Sequence, residues 1–327
     1  MSKKQIRLSD VFSAQKRISD IITRTPLKPS LYLSKKTGKS VYLKLENMQP
    51  SGSFKLRGAA NAILSLSKEA ITKGIITMSA GNHGKAVAYV AKKIGIEATI
   101  CVSKLVPDHK IEAMEQLGAK VIVAGKDQDD ATENALTIAK ERGKTFISAF
   151  DDPYVIAGQG TIALEILNEN PEIDTMLVQL SGGGLMSGIA IAAKSVNPDI
   201  KLIGVTIEKG AAMYESIKSG KIVKIEETFS IADALQGGLP FDNKYTFQIC
   251  KQNVDDILQI PEEQIEKSMA FGFRHERLVL EGSGAITIAP LLFKKSQKIG
   301  KEIAVIISGD NVNVDKLSEI VEKYHEI

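Results

Sequence analysis

The sequence contains few of the residues that build disulfides and metal centres. Among its 327 residues are two cysteines and four histidines. Cys101, inside an apolar strand-like run, and Cys250, after another apolar segment, fit reduced buried thiols better than a disulfide framework. The histidines show no clustered ligand spacing, so no metal centre is expected. They are His83, His109, His275 and His325.

The chain also lacks a strong charge imbalance and a long apolar run. Its formal net charge is +3, and no Lys/Arg cluster is interleaved with aromatic residues, so nucleic acid is not an expected partner. No apolar stretch approaches the roughly 20 residues of a membrane span, and no hydrophobic segment begins the chain. We therefore expect no membrane partner and a cytoplasmic location.

What the sequence does contain is enough apolar material for a large core. With 43% hydrophobic residues, 327 residues exceed the usual size of one domain, so two lobes are expected. Strand-like runs alternate with helical patterns, which predicts parallel βαβ units and an α/β fold. These runs are Val41–Leu45, Ile75–Met78, Ala98–Val102, Lys120–Val123, Met176–Leu180, Lys201–Ile207 and Ile303–Ile307.

The two predicted lobes are unequal. We place a small domain at residues 66–149 and a large domain in the flanking parts, 1–65 and 150–327. The expected ligand cleft lies between them, at the carboxyl ends of the strands. One last helix is expected at Val314–Tyr324, and no C-terminal regulatory domain is predicted.

One lysine stands between a small-residue turn and a helical pattern. Ser51 and Ser53 are predicted to cap a helix whose first turn contains Lys55. Because the N-terminal end of a helix dipole is positive, the pKa of Lys55 should be lowered toward the neutral amine that attacks carbonyls. Lys55 is therefore a candidate nucleophile, and the alternative is an ordinary surface lysine.

Two further turns are predicted to bind anions. Ser181–Gly188 joins a strand-like run to a helix, and its three consecutive glycines can turn backbone N–H groups toward a phosphate. It matches neither a dinucleotide-binding nor a Walker motif. In Ser79–Gly84, Asn82 could donate to a phenolic oxygen and the backbone could hold a carboxylate. The alternative for this second turn is a plain helix cap with His83 packed or solvated.

Together these segments resemble the fold-type II family of pyridoxal phosphate enzymes, specifically its serine/threonine dehydratase branch, also called threonine ammonia-lyases, of the short catabolic type. The motifs occur in the family's usual order and extend over most of the chain. They are S-G-S-F-K-L-R-G at 51–58, S-A-G-N-H-G at 79–84, S-G-G-G at 181–184, E-G-S-G-A at 281–285 and S-G-D-N at 308–311. The resemblance implies the two-lobed parallel-sheet architecture of this family, similar to the tryptophan synthase β chain, and a dimer or tetramer.

The resemblance also implies a role for each motif residue toward the cofactor, pyridoxal 5'-phosphate. Lys55 corresponds to the Schiff-base lysine, Phe54 packs by the ring, and Asn82 bonds the ring's phenolic oxygen. Ser308 faces the pyridine nitrogen. The residues whose backbone amides would hold the phosphate are Gly182, Gly183, Gly184 and Leu185.

By the same resemblance, Ser79, Asn82 and His83 receive the carboxylate of an amino-acid substrate. Lys55, once freed, would remove the α-proton, a role suited to a lysine with a lowered pKa. A neutral Ser308 hydroxyl does not hold the pyridine nitrogen protonated as a carboxylate would, which favours elimination over reprotonation.

Several positions differ from those of relatives, and the differences reduce the number of reactions expected of this chain. Racemases of the branch usually carry a second acid/base serine where this chain has Ala80, so two-base racemisation is not expected. Sulfhydrylase relatives use a different, threonine-rich asparagine loop. Some relatives bind a divalent cation at positions that here are Thr206 and Ala212, so no such site is predicted. Relatives commonly have glycine at the position of Asp310. If the Asp310 carboxylate reached the pyridine nitrogen, the argument from the neutral Ser308 hydroxyl would fail.

The predicted function is a pyridoxal-phosphate-dependent dehydratase of a β-hydroxy amino acid, threonine first and serine second, that yields a 2-oxo acid and ammonia. The alternatives are a dehydratase for a less common hydroxy amino acid, a serine racemase, and a non-catalytic small-molecule sensor. Side-chain selectivity is placed in the Asp233–Asn243 region. Arg57 and Glu281 are considered as supporting residues, although Arg57 could be an exposed helix residue and Glu281 a cap.

Overall fold

A computed structural model describes residues 5–226, 228–294 and 296–327. The side chain of His109 lies outside this description. Within these residues the strands are β1 (Leu27–Pro29), β2 (Ser40–Leu45), β3 (Ile75–Met78), β4 (Ala98–Val102), β5 (Lys120–Val123), β6 (Thr145–Phe146), β7 (Thr175–Gln179), β8 (Lys201–Ile207), β9 (Asp256–Ile260) and β10 (Glu302–Ile307).

The helices alternate with these strands. They are α1 (Leu8–Ile18), α2 (Leu31–Thr37), α3 (Lys55–Leu64), α4 (Lys68–Lys73), α5 (Asn82–Ile94), α6 (Asp108–Gln116), α7 (Gln128–Arg142), α8 (Pro153–Glu169), α9 (Gly184–Val196), α10 (Ala212–Ser219), α11 (Thr246–Asn253), α12 (Glu262–Phe271), α13 (Gly282–Ala285), α14 (Ala289–Leu292) and α15 (Val314–Lys323). A π-helical segment, Gly272–Glu276, directly follows α12.

The strands form two sheets. The larger sheet has the order β1-β2-β10-β7-β8-β9 and is parallel except for β1, which pairs antiparallel with β2. The smaller sheet has the order β5-β4-β3-β6 and is wholly parallel. These observations confirm the α/β class and the parallel pairing. The sequence did not indicate β1, β6 or β9.

Burial on both faces explains the apolar character of the central strands. Every residue of β7 is buried, and so is every residue of β10 except the first, because helices cover both faces of the sheet. The strands therefore read as continuous apolar runs and not as alternating ones. Among the described residues, no helix combines the length and the apolar composition that a bilayer crossing requires.

Three helices pack closely across glycines. A Cβ on Gly158 of α8 would lie 2.8 Å from the Cα of Gly58 in α3, and a Cβ on Gly160 would lie 2.7 Å from the carbonyl oxygen of Gly188 in α9. Larger residues at these positions would push the helices apart. Since α3 begins at Lys55 and α9 at Gly184, these contacts fix how far apart the lysine and the glycine turn lie.

Candidate active site

The predicted site segments follow strands of the parallel sheets. The loop after β3 leads into α5, the loop after β7 leads into α9, and the Ser308 loop follows β10. Ligand sites in parallel α/β proteins lie at these carboxyl ends. The fold thus brings together segments that are far apart in the sequence.

Lys55 is the first residue of α3, as expected. Its amine donates a hydrogen bond to the carbonyl oxygen of Ala149 at 2.9 Å and lies 5.3 Å from the centre of the Phe54 ring. Burial lowers the pKa of the Lys55 amine to about 8, and the charge of Glu281 opposes this shift. The amine therefore loses its proton more readily near pH 7 than an ordinary lysine does.

The turn before Lys55 is held against the Ser308 loop. The Phe54 amide donates to the Ser308 carbonyl at 3.0 Å, and the Asp310 amide donates to the Gly52 carbonyl at 3.0 Å. The prediction that Ser51 and Ser53 cap the helix is wrong. The N-cap residue of α3 is Phe54, and both serine hydroxyls are buried without a hydrogen-bond partner in the described part of the chain.

The glycine turn is enclosed from two sides. On one side, a Cβ on Gly182 would lie 2.6 Å from the Phe150 ring, and one on Gly184 would lie 2.9 Å from the Phe150 backbone. On the other side, Gly183 has φ +84°, and a Cβ there would lie 2.9 Å from Cys250 Sγ. Only glycine fits these positions. Leu185, in the first turn of α9, is buried in the core.

Residues 149–152 form part of the site, which the sequence did not indicate. Ala149 accepts from Lys55, and Phe150 packs on the glycine turn. Asp151 accepts hydrogen bonds from three backbone amides at the start of α11, and Asp152 caps α8. In the sequence this segment shows only a helix-start signal, Asp-Asp-Pro.

Asn82, the first residue of α5, is held by two side chains of the large sheet's loops. Its amide nitrogen donates to Glu281 Oε1 at 2.7 Å, and its oxygen accepts from the Asn311 amide. Since the amide nitrogen carries two hydrogens, one is used by Glu281 and the other can serve a ligand. Asn82 is thus oriented as a donor.

His83 is buried and neutral. Its Nε2 lies 3.1 Å from the Ile147 carbonyl oxygen, which can only accept, so Nε2 carries the proton. Burial, with a smaller contribution from the charge of Lys55, lowers the pKa of His83 to about 3. Ser79 lies beside this helix start, and its hydroxyl accepts from the Gly81 amide at 3.2 Å.

A group of ionisable residues lies next to Asn82. Burial, with the charge of Asp233 adding to it, raises the pKa of Glu281 to about 8, and burial raises the pKa of Asp310 to about 6. Lys85 donates to Asn311 at 2.6 Å, and its positive charge opposes both shifts. The Asp310 carboxylate lies beside Gly52, whereas the Ser308 hydroxyl donates to the Ser283 carbonyl at 3.3 Å.

Arg57 is a structural residue in a buried ion-pair cluster. It is fully buried and pairs with Glu46 and Glu165, each at 2.7 Å, while Lys44 pairs with Glu165 at 2.6 Å. The sequence left open an exposed position for Arg57, and the structure excludes it. The cluster joins α3 to α8 and β2.

At the positions considered for a divalent cation, Thr206 is buried in β8 and Ala212 is the first residue of α10. In the described part of the chain, no group of three or more His, Cys, Asp or Glu side chains could hold a metal ion. Both cysteines in these residues are buried free thiols.

Comparison with known proteins identifies the family. The family model of pyridoxal-phosphate dependent enzymes matches residues 18–309. An L-threonine ammonia-lyase from Thermotoga maritima is 41% identical over 318 residues, covering 97% of this chain and 79% of that protein. A catabolic L-threonine dehydratase from Staphylococcus aureus is 41% identical over 321 residues, covering 97% and 92%.

Among solved structures, a maize serine racemase superimposes with a TM-score of 0.91 at 34% identity, covering 99% of each chain. The family match and the two sequence relatives each extend over most of the chain. The chain therefore belongs to the family of pyridoxal-phosphate dependent enzymes.

Proposed function

We propose that this enzyme is an ammonia-lyase that eliminates water from a β-hydroxy amino acid, L-threonine first and L-serine second. The products are 2-oxobutanoate or pyruvate, plus ammonia. The observation that carries the proposal is Lys55, a buried lysine with a pKa near 8 at the start of α3, in a chain about 40% identical to threonine ammonia-lyases. The reaction class is a carbon–nitrogen lyase.

The residues of the site fit pyridoxal 5'-phosphate. Gly182, Gly183 and Gly184 leave room for no side chain. Gly182 and Gly183 precede α9 and Gly184 is its first residue, and the first amides of a helix have no partner within it. We assign the phosphate to these backbone amides and that of Leu185. We assign the ring to Phe54, the phenolic oxygen to Asn82 and the pyridine nitrogen to Ser308.

When bound, pyridoxal phosphate supplies an electron sink for the electron pair left at the substrate's α-carbon. Lys55 would hold the cofactor through its amine and, once freed, would accept the α-proton, a role that suits an amine whose pKa is lowered to about 8. Ser308 carries no charge, so it adds no stabilisation to a protonated pyridine. The enclosing loops keep these groups at fixed distances.

We assign the substrate carboxylate to the start of α5. Ser79, Asn82 and His83 lie there, where backbone amides and the helix dipole favour an anion. With a pKa of about 3, His83 stays neutral near pH 7, so it acts as a hydrogen-bonding group and adds no positive charge. Every amino-acid substrate has this carboxylate, so its binding does not select among substrates. We propose that the Asp233–Asn243 loop determines selectivity for the substrate's side chain.

A substrate panel tests the proposal. The enzyme is incubated with L-threonine, L-serine, their stereoisomers and other β-hydroxy amino acids, and keto acid and ammonia are measured. We expect most keto acid from L-threonine. Failure with every compound would overturn the dehydratase assignment, and equal formation of D- and L-serine without keto acid would favour a racemase, against the expectation from Ala80.

Lys55→Ala separates an enzyme from a non-catalytic sensor. Turnover should fall by roughly three orders of magnitude or more, because the base and the cofactor link are both lost. Exposed Lys36 in α2 provides the control, and Lys36→Ala should keep wild-type turnover. Borohydride reduction with cofactor should label Lys55 and no other lysine, and a colourless, unlabelled protein would contradict the assignment.

We also propose that the enzyme is a cytoplasmic homo-oligomer, a dimer or tetramer, without a bound divalent cation. The free cysteines support a reducing compartment. Exposed apolar side chains lie on α2 (Leu31, Tyr32) and in or just after the π-helical segment (Phe273, Val279), and Tyr32 stacks on His275 of that segment. We take these four residues as an apolar patch that supports self-association. We propose the domain division 1–65 with 150–327 and 66–149, supported by the position of the whole smaller sheet between residues 75 and 146.

A further inference from the structure

Four consecutive residues connect the parts of the site. Ala149 accepts from the Lys55 amine, and Phe150 lies against Gly182 and Gly184. Asp151 accepts from the start of α11, and Asp152 accepts from the Tyr154 and Val155 amides at the start of α8. A shift of this segment would therefore move the lysine contact and one wall of the glycine turn together.

The helix α11 forms the opposite wall. A Cβ on Gly183 would lie 2.9 Å from Cys250 Sγ and 3.1 Å from Thr246 Cβ, and both residues belong to α11. Burial raises the pKa of the Cys250 thiol to about 12, so the thiol keeps its proton and donates to the Gly183 carbonyl oxygen at 3.7 Å. The position of α11 thus controls the backbone of the glycine turn.

The Asp151 carboxylate holds the two walls together. Its Oδ2 accepts from the Lys244 amide at 2.5 Å, and its Oδ1 accepts from the Tyr245 and Thr246 amides at 2.9 and 3.0 Å. These amides belong to the helix N-terminus, where a negative charge is favoured and hydrogen bonds to it are strong. The cap therefore comes from a residue more than 90 positions earlier in the chain.

We propose that Asp151 is a positioning residue for the cofactor phosphate, acting by fixing α11 against Gly183 while its neighbour Phe150 fixes the other side. This inference rests on the proposed function only through the cofactor. It assigns no contact between Asp151 and the substrate or the cofactor. A cap that served α11 alone would leave cofactor affinity unchanged.

The test measures cofactor binding by Asp151→Asn and Asp151→Ala. Asn keeps the shape but replaces one accepting oxygen with a donor that faces an N–H group. We expect the dissociation constant for pyridoxal phosphate, titrated into cofactor-free protein, to rise about five- to thirty-fold, the size expected when a helix cap is lost. Turnover at saturating cofactor should fall less than about three-fold.

Asp127→Ala is the matched control. Asp127 caps α7 through the Asp130 amide at 2.9 Å, in the smaller sheet's part of the chain. It should lower the unfolding temperature but change the cofactor dissociation constant less than two-fold. Circular dichroism of each cofactor-free variant verifies folding, and Asp151→Asn carries the test if Asp151→Ala does not fold.

Hydrogen exchange in the cofactor-free protein gives an independent readout. Asp151→Asn should exchange faster both in residues 246–253 and in the glycine turn 182–187. Faster exchange in α11 alone, or a dissociation constant within two-fold of wild type, would overturn the inference. Because these readouts need no substrate, a wild type that binds cofactor at Lys55 but forms no keto acid would refute the proposed function and leave this test intact.

Discussion

At the residue scale, Glu281 shows how one buried carboxyl serves the site. Glu281 accepts a hydrogen bond from Asn82, and its negative charge, when present, raises the pKa of Lys55. Burial and the neighbouring Asp233 keep its pKa at about 8, so near neutral pH it is mostly an uncharged acceptor. A neutral Glu281 does little to oppose the burial effect on Lys55, so the neutral state of each group favours the neutral state of the other.

This shift makes stability depend on pH. Folded Glu281 keeps its proton up to about pH 8, whereas the unfolded chain releases it near 4.5, so its stabilisation is complete below pH 4.5 and lost as the pH rises through 8. Between pH 6.5 and 7.5, the free energy of unfolding of the cofactor-free protein should fall by up to about 1.4 kcal/mol per pH unit from this group. His83 titrates below this window.

Glu281→Gln checks the effect, since glutamine keeps the oxygen that accepts from Asn82. Urea unfolding between pH 6.5 and 7.5 should show a flatter pH dependence in this variant than in wild type. The control is Glu69→Gln. Lys73 lowers the pKa of Glu69, so this carboxyl is ionised between pH 6.5 and 7.5 in both the folded and the unfolded chain. Parallel slopes for Glu281→Gln and wild type would contradict the argument.

At the scale of elements, α3 depends on the buried cluster around Arg57. The guanidinium donates to both oxygens of Glu46 and both of Glu165, at 2.7 to 2.8 Å. The positive charges of Arg57 and Lys44 balance the two carboxylates, so the cluster is neutral only when all four residues are present. Arg57 lies two residues after Lys55, so the cluster also holds the turn that carries the amine.

Arg57→Met should destabilise the protein by about 3–5 kcal/mol, because two buried carboxylates then share one lysine. The double variant Arg57→Met/Glu46→Gln leaves the Lys44–Glu165 pair and restores neutrality, so it should recover part of this loss. Denaturant unfolding of the cofactor-free proteins measures both. If the double variant unfolded as readily as the single one, charge balance would not be the reason for the cluster.

The elements also show where sequence reasoning succeeds. Long apolar runs predicted β4 and β8 at their observed bounds, because burial on both faces leaves a clear pattern. The two-residue β6 and the antiparallel edge strand β1 are too short to show a period. Local patterns predicted that Lys55 lies in the first turn of a helix and that the glycines join a strand to a helix, and the structure has both there, because each pattern involves adjacent residues.

Residues that act through distant partners could not be predicted. Arg57 meets Glu165 from 108 positions away, and Asp151 meets Thr246 from 95. Nothing near either residue in the sequence indicates such a contact. The failed cap at Ser51 and Ser53 has a related cause, because the antiparallel bridge between Ser53 and Gly309 sets the turn's conformation.

At the scale of the whole molecule, several polar contacts connect the smaller sheet's elements with loops of the larger one. Asn82 binds Glu281, Lys85 binds Asn311, and Lys110 of α6 pairs with Asp233 at 3.4 Å. All three join the two parts of the chain between which we propose that the site lies. The surface near α2 and the π-helical segment carries exposed apolar side chains instead.

This surface provides the last prediction. Tyr32 stacks on His275 with ring centres 4.0 Å apart, and Leu31, its neighbour in the chain, is 82% exposed. We expect a second subunit to cover this group of apolar side chains, because exposed apolar side chains that lie together mark an interface, whereas a single one does not. Leu31→Glu should weaken self-association by on the order of 2 kcal/mol or more, because a charge would be buried in the interface. Leu105→Glu is the control, since Leu105 is 76% exposed outside the patch. Sedimentation velocity should show smaller particles for Leu31→Glu only, and a monomeric wild type, or two variants that sediment alike, would refute the assignment of the interface.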